Sequence, residues 1–223
     1  MDAAAVETTN RQGHQLLARW AAEGNAHQLA EVVAEERIRP ELRIWAMHRF
    51  FEFRDEFGDG QVPVAALVAA LSDSNPWVRR DAAREVHVVR RAGWDPRGMV
   101  EPLRYLLCDE NDFVRLAAAI ALSYIGDQAA KATLIDFAET TNTQQSAAAA
   151  LARLRTPEGE KWMCRYLKGP DSDWAAGWLA EMGTASSIAP LKRARRRHPL
   201  SRGDYTAAIT AIERRKAEQA TMT

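Results

Sequence analysis

Two copies of one helical pattern constrain the fold of this chain more than any other feature of its sequence. The first copy, VAALVAALSDSNPWVRRDAAREV, begins at residue 64, and the second, VEPLRYLLCDENDFVRLAAAIAL, begins at residue 100. Each copy predicts a helix, a short turn that holds an acid (Asp73 or Asp109), and a second helix that opens with an aromatic residue, Val and Arg. A fixed period of roughly 20–50 residues is the signature of a stacked repeat array.

Weaker copies extend this array on both sides. The helix predicted from Glu41 to about Glu56 falls in the same register, and no segment alternates with period two for long enough to indicate a sheet. We therefore predict an all-α fold, an α-solenoid of about six helical hairpins. The predicted parts are a disordered N-terminus at 1–8, a single array at 9–215 and a flexible C-terminus at 216–223. Clear repeats are expected at 63–91 and 99–126, and weaker ones at 26–57, 128–154, 157–183 and 185–215.

The repeated polar residues carry a resemblance to a known family. The turn acid, followed by Val-Arg and then Ala-Ala, resembles a HEAT repeat. The glycine-containing links at 124–130 and 181–187 resemble those of the HEAT-like subclass found in phycobilisome lyases and bacterial scaffold proteins. The resemblance covers about residues 28–214. It implies that the turn acids and arginines hydrogen-bond between neighbouring repeats and fix their stacking, rather than acting in catalysis. These residues are Asp73, Arg79, Asp109 and Arg115.

Composition restricts the remaining classes. Thirty Lys and Arg balance thirty Asp and Glu, which argues against a protein that coats nucleic acid, although a local basic patch is compatible with it. Cys108 and Cys164 lie far apart and neither belongs to a CxxC pair, so the sequence predicts neither a disulfide nor a metal site. The first thirteen residues lack the apolar segment of a secretory signal, and no apolar run is long enough to span a membrane. We expect a soluble, cytoplasmic protein.

The second helix of the first clear repeat has two contrasting sides. At about 100° per residue, one side is apolar and faces the core, and the opposite side is basic. The basic side holds Trp77, Arg80, Arg84, His87 and Arg91. Second helices normally line the inner, concave wall of such a solenoid, where repeat arrays bind their partners. The sequence therefore predicts that these five residues line a binding groove.

Residues one repeat before and after this basic side are mostly apolar. They are Ile44, His48, Phe51, Leu116 and Ile120. Apolar positions that face solvent in a cluster indicate an interface. The prediction is a groove with a cationic centre and apolar shoulders, suited to an acidic, amphipathic peptide segment or to an anionic small molecule with an apolar body. The alternative is that these side chains pack on one another along a crowded inner wall.

Two further features near the C-terminus have competing interpretations. The basic run from Lys192 to His198 ends the penultimate predicted helix, where cations complement the helix dipole, or it contacts phosphate. Trp162, Trp174 and Trp178 gather in one repeat, which favours packing between repeats. Indoles beside acids are also similar to the base-binding cleft of HEAT-like alkylpurine DNA glycosylases.

No motif in the chain indicates a reaction. The five histidines form no HExxH and no pair on one helix turn, and GxSxG, phosphate-loop and Rossmann patterns are missing. The sequence thus predicts no cofactor and no metal, and it leaves enzymatic activity undecided while favouring none. The first hypothesis is a protein-interaction scaffold that binds a partner segment. The alternatives are a phycobilin lyase-like or chaperone subunit, which the family resemblance suggests, and a HEAT-like DNA glycosylase or nucleic-acid-binding protein.

Overall fold

The chain is all-helical in a computed structural model that describes residues 1–49, 52, 54–58, 60–140 and 143–221, and no strand occurs among these residues. The all-α, α-solenoid class predicted from the repeats is confirmed. The first α-helices are α1 (Ala3–Gln12), α2 (His14–Ala22), α3 (Ala26–Ala34), α4 (Pro40–Arg49), α5 (Arg54–Phe57), α6 (Gln61–Ala70), α7 (Pro76–Arg84) and α8 (Val86–Arg91). They are followed by α9 (Val100–Tyr105), α10 (Asp112–Ile125), α11 (Lys131–Thr140), α12 (Gln144–Arg153), α13 (Pro157–Tyr166), α14 (Ser172–Met182), α15 (Ile188–Arg197) and α16 (Arg202–Thr221).

The N-terminus is helical from Ala3, where the sequence predicted disorder at 1–8. The Asp2 carboxylate accepts a hydrogen bond of 2.8 Å from the Ala5 N–H and caps α1, which then proceeds through an alanine run. Asn10 ties α1 to the segment before α4, because its side chain donates to the Arg37 carbonyl at 2.9 Å and accepts from the Arg39 N–H at 2.9 Å. A polar terminal segment is expected to be disordered only when it lacks helix caps and hydrogen bonds to the rest of the chain.

The helices cluster into two compact units, Met1–Thr133 and Leu134–Thr223. Unit 1 has two layers of helices. In one layer α3 contacts α6, and in the other α4 contacts α7, which in turn contacts α10. The apolar columns repeated in the sequence lie between the layers and are fully buried, as Leu67, Leu103, Val78 and Val114 show. Unit 1 thus holds both clear repeats in the stacking that the sequence predicts.

The two clear copies build their turns in the same way. Asn75 and Asn111 cap α7 and α10, and each accepts a 2.9 Å hydrogen bond from the N–H two residues later. The preceding acids accept from the asparagine N–H groups, Asp73 at 2.8 Å and Asp109 at 2.9 Å. Each acid-to-asparagine segment therefore forms a self-supporting turn that starts the second helix.

Arginine side chains connect successive turns of unit 1, as the family resemblance implies. Arg43 Nη1 lies 2.5 Å from Asp73 Oδ2, and both side chains are buried. One repeat later, Arg79 makes a bidentate pair with Asp109, with Nε–Oδ2 at 2.8 Å and Nη2–Oδ1 at 3.0 Å. The inter-repeat pairing predicted for Asp73, Arg79 and Asp109 is confirmed. Arg115 differs, because it pairs with Asp112 of its own helix.

The second helix of the first clear repeat is divided in the structure. The helix expected from Pro76 to Arg91 is divided at Glu85 into α7 and α8. The break therefore occurs at Glu85, a buried acid on the apolar side of this helix. The helix expected from Glu41 to about Glu56 is described over Pro40–Arg49 (α4), and residues 50, 51 and 53 lie outside the described part of the chain.

Unit 2 repeats the hairpin arrangement with alanine-rich contacts. α12 packs on α13, α13 on α14, and α14 on α16, which also contacts α15. Gly159 of α13 lies against the α12 backbone so closely that a Cβ would come within 2.5 Å of the Ala152 nitrogen. Trp162, Trp174 and Trp178 are half-buried and pack against the apolar core of this unit, which fits the packing interpretation of the tryptophan cluster.

The C-terminal segment from residue 216 to Thr221 continues α16, where the sequence predicted a flexible tail. No glycine or proline follows Gly203, and the segment is rich in Ala, Lys, Glu and Gln, which favour helix. Across the described residues, no helix combines the length and the apolar character that crossing a bilayer requires.

Candidate functional site

An exposed aromatic pair marks the predicted binding face of unit 1. Trp77 is the second residue of α7 and Phe113 the second of α10, and these residues are 45% and 57% exposed. Their ring centroids are 5.9 Å apart, and the guanidinium of Arg80 lies over the indole, 4.7 Å from its centroid. The register of the repeats produces this pair, since both residues follow the capping asparagine at the same distance. Exposed aromatic side chains that lie against each other suit a protein-binding surface.

The cations on this face are partly neutralised by acids that the helical projection placed elsewhere. Arg80 Nη2 donates to both oxygens of Asp81, at 2.9 and 3.0 Å, and Nε donates to Oδ1 at 3.0 Å. Arg84 is 64% exposed and lies 3.7 Å from the same carboxylate. The Asp81 side chain itself is buried. The positive charge at the centre of this face is therefore weaker than the sequence predicts. Arg84 is more exposed than Arg80.

The two predicted histidines take different positions on the same face. His87 is half-buried; its Nδ1 lies 2.7 Å from the Arg84 carbonyl, and its ring lies 6.1 Å from that of Tyr124. His48 on α4 is exposed, and its Nε2 lies 3.7 Å from Glu85 Oε1. Arg91, at the end of α8, is also exposed. The structure thus brings His48 of one repeat next to an acid of the following repeat.

The apolar shoulders expected beside the basic residues are only partly exposed. Ile44 and Ile120 are half-buried. Leu116 is buried, with 8% exposure, so its predicted exposure to solvent is wrong. The reason is that α10 contacts α7, α8, α9 and the turn at 128–130, which leaves little of its surface free. Phe51, also expected in this set, lies outside the described residues.

Glu85 is an ionisable group near this face that the sequence interpretation missed. Its side chain is buried at the break between α7 and α8. Burial, reinforced by the nearby Asp81 carboxylate and opposed by Arg84, raises the pKa of Glu85 to about 7. The available signal was an acid on the apolar side of this helix, among residues that are buried, such as Ala82 and Val86. The repeat itself gives no hint of this acid, because the equivalent residues one repeat before and after it are Arg49 and Ala121.

Replacing Glu85 with glutamine should make the protein more stable at alkaline pH. Because the folded-state pKa lies above the ordinary 4.5, the stability contributed by this group is complete at low pH and is lost as pH rises through about 7. We expect the stability difference between Glu85→Gln and the wild type to grow by about 2–3 kcal/mol between about pH 5 and pH 8. Urea denaturation at the two pH values measures it. Glu110→Gln, which removes an exposed carboxylate, should show no comparable growth.

Nothing among the described residues indicates metal or thiol chemistry. No group of three or more His, Cys, Asp or Glu side chains could hold a metal ion in that part of the chain. The Cys164 thiol is half-buried, with its Sγ 3.4 Å from Ser187 Oγ. Burial raises the pKa of this thiol, which disfavours the nucleophilic thiolate.

Comparisons with known proteins agree with this fold. A family model described as HEAT repeats matches residues 64–144, which include both clear copies of the pattern. A search of curated proteins found no significant match. Among solved structures, the crystal structure of an engineered protein from the Northeast Structural Genomics Consortium is 21% identical, with 85% of this chain and 96% of that chain covered and a TM-score of 0.53. The chain is thus similar to HEAT repeats over residues 64–144 and shares its all-helical fold with that engineered protein.

Proposed function

We propose that the α4–α7–α10 face of unit 1 binds a short acidic, amphipathic segment of a partner protein, and that the chain is an interaction scaffold. The observation that carries this proposal is the exposed Trp77–Phe113 pair with the Arg80 guanidinium over its indole. Trp and Arg are enriched among the residues that dominate binding energy at interfaces. A cytoplasmic location, expected from the sequence, is part of the same proposal.

Charge on this face supports an acidic partner. Arg84 and Arg91 are exposed, whereas the acids Asp81 and Glu85 are buried beneath the surface. A partner would therefore meet guanidinium groups first, and apolar side chains of the partner would cover the aromatic pair. A segment with acidic and apolar residues on one helical side fits both parts of the face.

The two alternatives stay predictions of sequence resemblance. Neither the HEAT-repeat match nor the engineered structure distinguishes the phycobilisome-lyase subclass from other HEAT-like repeats. The scaffold proposal is preferred because an exposed aromatic pair needs only a partner surface, whereas a lyase or a glycosylase also requires reactive groups. The half-buried thiol of Cys164, whose pKa is raised by burial, does not supply one.

Affinity capture with variants of the exposed pair tests the proposal. The double variant Trp77→Ala/Phe113→Ala should lose the partners that the wild type captures, as measured by quantitative mass spectrometry. Because each ring is exposed, we expect thermal unfolding, followed by circular dichroism, to change little. Tyr105→Ala is the matched control, because Tyr105 is 83% exposed on α9, outside the proposed face. Equal capture by the double variant, or equal loss with Tyr105→Ala, would contradict the proposal.

A charge reversal at Arg84 tests the electrostatic part. Arg80 is unsuitable, because Arg80→Glu would place a second carboxylate beside buried Asp81. Arg84→Glu should weaken capture, while Arg90→Glu, also exposed but outside the predicted set, should not. If both reversals weaken capture equally, binding depends on the net charge of the chain rather than on the proposed face, and the proposal is contradicted.

A further inference from the structure

Unit 2 contains a separate cleft of about 1010 Å³. It is lined by α11, α13 and α15, by Gln144 at the start of α12, and by residues 167–169 after α13. These main lining helices are the first helices of their hairpins, whereas the unit 1 face is built from second helices. No residue of α14 or α16 is among its lining residues.

The cleft is rich in cations. Its basic lining residues are Lys161, Arg165, Lys168, Arg193 and Arg197. Within the described part of the chain, none of these five forms a salt bridge. The acids of the lining are Glu139 and Glu158. Although the whole chain has a net charge of zero, this cleft carries an excess of positive charge.

The cations form two short rows. Lys161 and Arg165 are one helical turn apart on α13 and Lys168 follows the end of that helix, while Arg193 and Arg197 are one helical turn apart on α15. With a rise of about 1.5 Å per residue, the two residues of each helical pair are separated by roughly 6 Å along the helix axis. Rows of this kind suit an extended polyanion better than a single carboxylate or a single phosphate.

Aromatic side chains lie among these cations. Trp162 and Tyr166 both line the cleft, are half-buried, and have ring centroids 6.2 Å apart. The Arg165 guanidinium lies over the Trp162 ring at 4.8 Å, and the Tyr166 ring meets Trp174 edge-on at 5.5 Å. Unpaired bases stack on aromatic rings and on guanidinium planes, while the backbone phosphates pair with Lys and Arg.

We propose that this cleft binds single-stranded nucleic acid, with phosphates along the α13 and α15 cations and a base stacked at Arg165–Trp162. An acidic peptide would satisfy the cations but not the rings, and the bases of a duplex would be unavailable for stacking. The basic run on α15 thus contributes a wall of the site through Arg193 and Arg197, whereas Lys192 and Arg196 of the same helix do not line the cleft. The cleft and the unit 1 face use different residues, so this inference does not depend on the proposed function.

Fluorescence anisotropy with a labelled oligothymidylate of about 12 nucleotides tests the proposal on the full chain. Arg193→Glu/Arg197→Glu should weaken binding by at least about tenfold and reduce the magnitude of the log–log salt slope by about 1.4, from two lost phosphate contacts. Lys192→Glu/Arg196→Glu is the matched control. It makes the same change of charge in the same helix, at exposed positions outside the cleft, and should change the affinity less than about threefold.

A second measurement reports the stacked base. Oligothymidylate should quench tryptophan fluorescence in the wild type, and Trp162→Phe should lose most of that quenching. Thermal unfolding followed by circular dichroism should show that the variant is folded. Four outcomes would overturn the proposal: no binding at low salt, equal weakening by the two charge-reversal pairs, unchanged quenching in Trp162→Phe, or displacement of the oligonucleotide by equimolar polyglutamate. The last outcome would identify the cleft as a site for acidic protein segments.

Discussion

Replacing Arg43 with leucine should lower the free energy of unfolding by about 3–5 kcal/mol, because it leaves a buried carboxylate without its counter-charge. Arg43 and Asp73 are 3% and 2% exposed at their side chains, and their charged atoms are 2.5 Å apart. Arg43 Nε also donates to the Val33 carbonyl at 2.9 Å, a contact that leucine cannot make. Thermal and urea denaturation followed by circular dichroism measure the loss, which we expect to lower the Tm by on the order of 10 °C.

Two companion variants identify the cause of that loss. Arg39→Leu removes an exposed arginine near the start of the same helix and should change stability by no more than about 0.5 kcal/mol. Arg43→Leu/Asp73→Asn removes the unpaired charge while keeping the Oδ1 that accepts from the Asn75 N–H. The double variant should therefore be more stable than Arg43→Leu alone. If it is not, the ion pair is not the source of the effect.

Replacing Glu160 with alanine should cost about 3 kcal/mol, since one buried carboxylate holds the turn that begins α15. Glu160 Oε1 accepts from the Thr184 N–H at 2.8 Å and from the Thr184 and Ser186 hydroxyls at 2.9 Å each. The Ser187 hydroxyl donates to the same oxygen. Alanine would leave the buried Ser187 hydroxyl without this acceptor. Glu181→Ala, at an exposed position of α14, should be close to neutral.

The effect of Glu160→Ala should also depend on pH. Burial alone would raise the pKa of Glu160, but the hydrogen bonds from Ser187, Thr184 and Ser186 outweigh burial and lower it below its usual 4.5. A carboxyl group of this kind contributes its full stability above the unfolded-state pKa and loses it as pH falls through the folded-state value. The gap between wild type and Glu160→Ala should therefore be constant above about pH 6 and shrink in acid. A gap that widens in acid would show that the carboxylate is not the stabilising form.

Much of the fold was predictable because it depends on local and periodic signals. The apolar columns at Leu67 and Val78 report which side of each helix is buried, and the turn acid with its capping asparagine repeats at a fixed distance. The missed parts depend on individual polar contacts. The N-terminal helix exists because Asp2 caps it, and the α7–α8 break coincides with a buried Glu85. Hydrophobic periodicity contains no information about such contacts.

The candidate sites were predictable to a smaller extent. The register of the repeats indicated that Trp77 and Arg84 share a side of α7, and both are exposed there. It did not indicate that Arg80 turns back onto adjacent Asp81, since neighbours in a helix ordinarily do not face each other. The unit 2 cleft was not predicted, because α13 and α15 are first helices and binding was expected on second helices. Its cations also come from two hairpins that are distant in sequence and adjacent only in the folded structure.

The arginine connections of unit 1 also bear on how it folds. Arg79 and Asp109 are separated by 30 residues in sequence, as are Arg43 and Asp73, and the stacked Trp77 and Phe113 are only slightly farther apart. Short separations keep the entropy of loop closure small and give a low contact order, which favours rapid folding. Unit 1 can therefore assemble hairpin by hairpin, each new turn docking on the arginine of the one before it, without a search for distant segments.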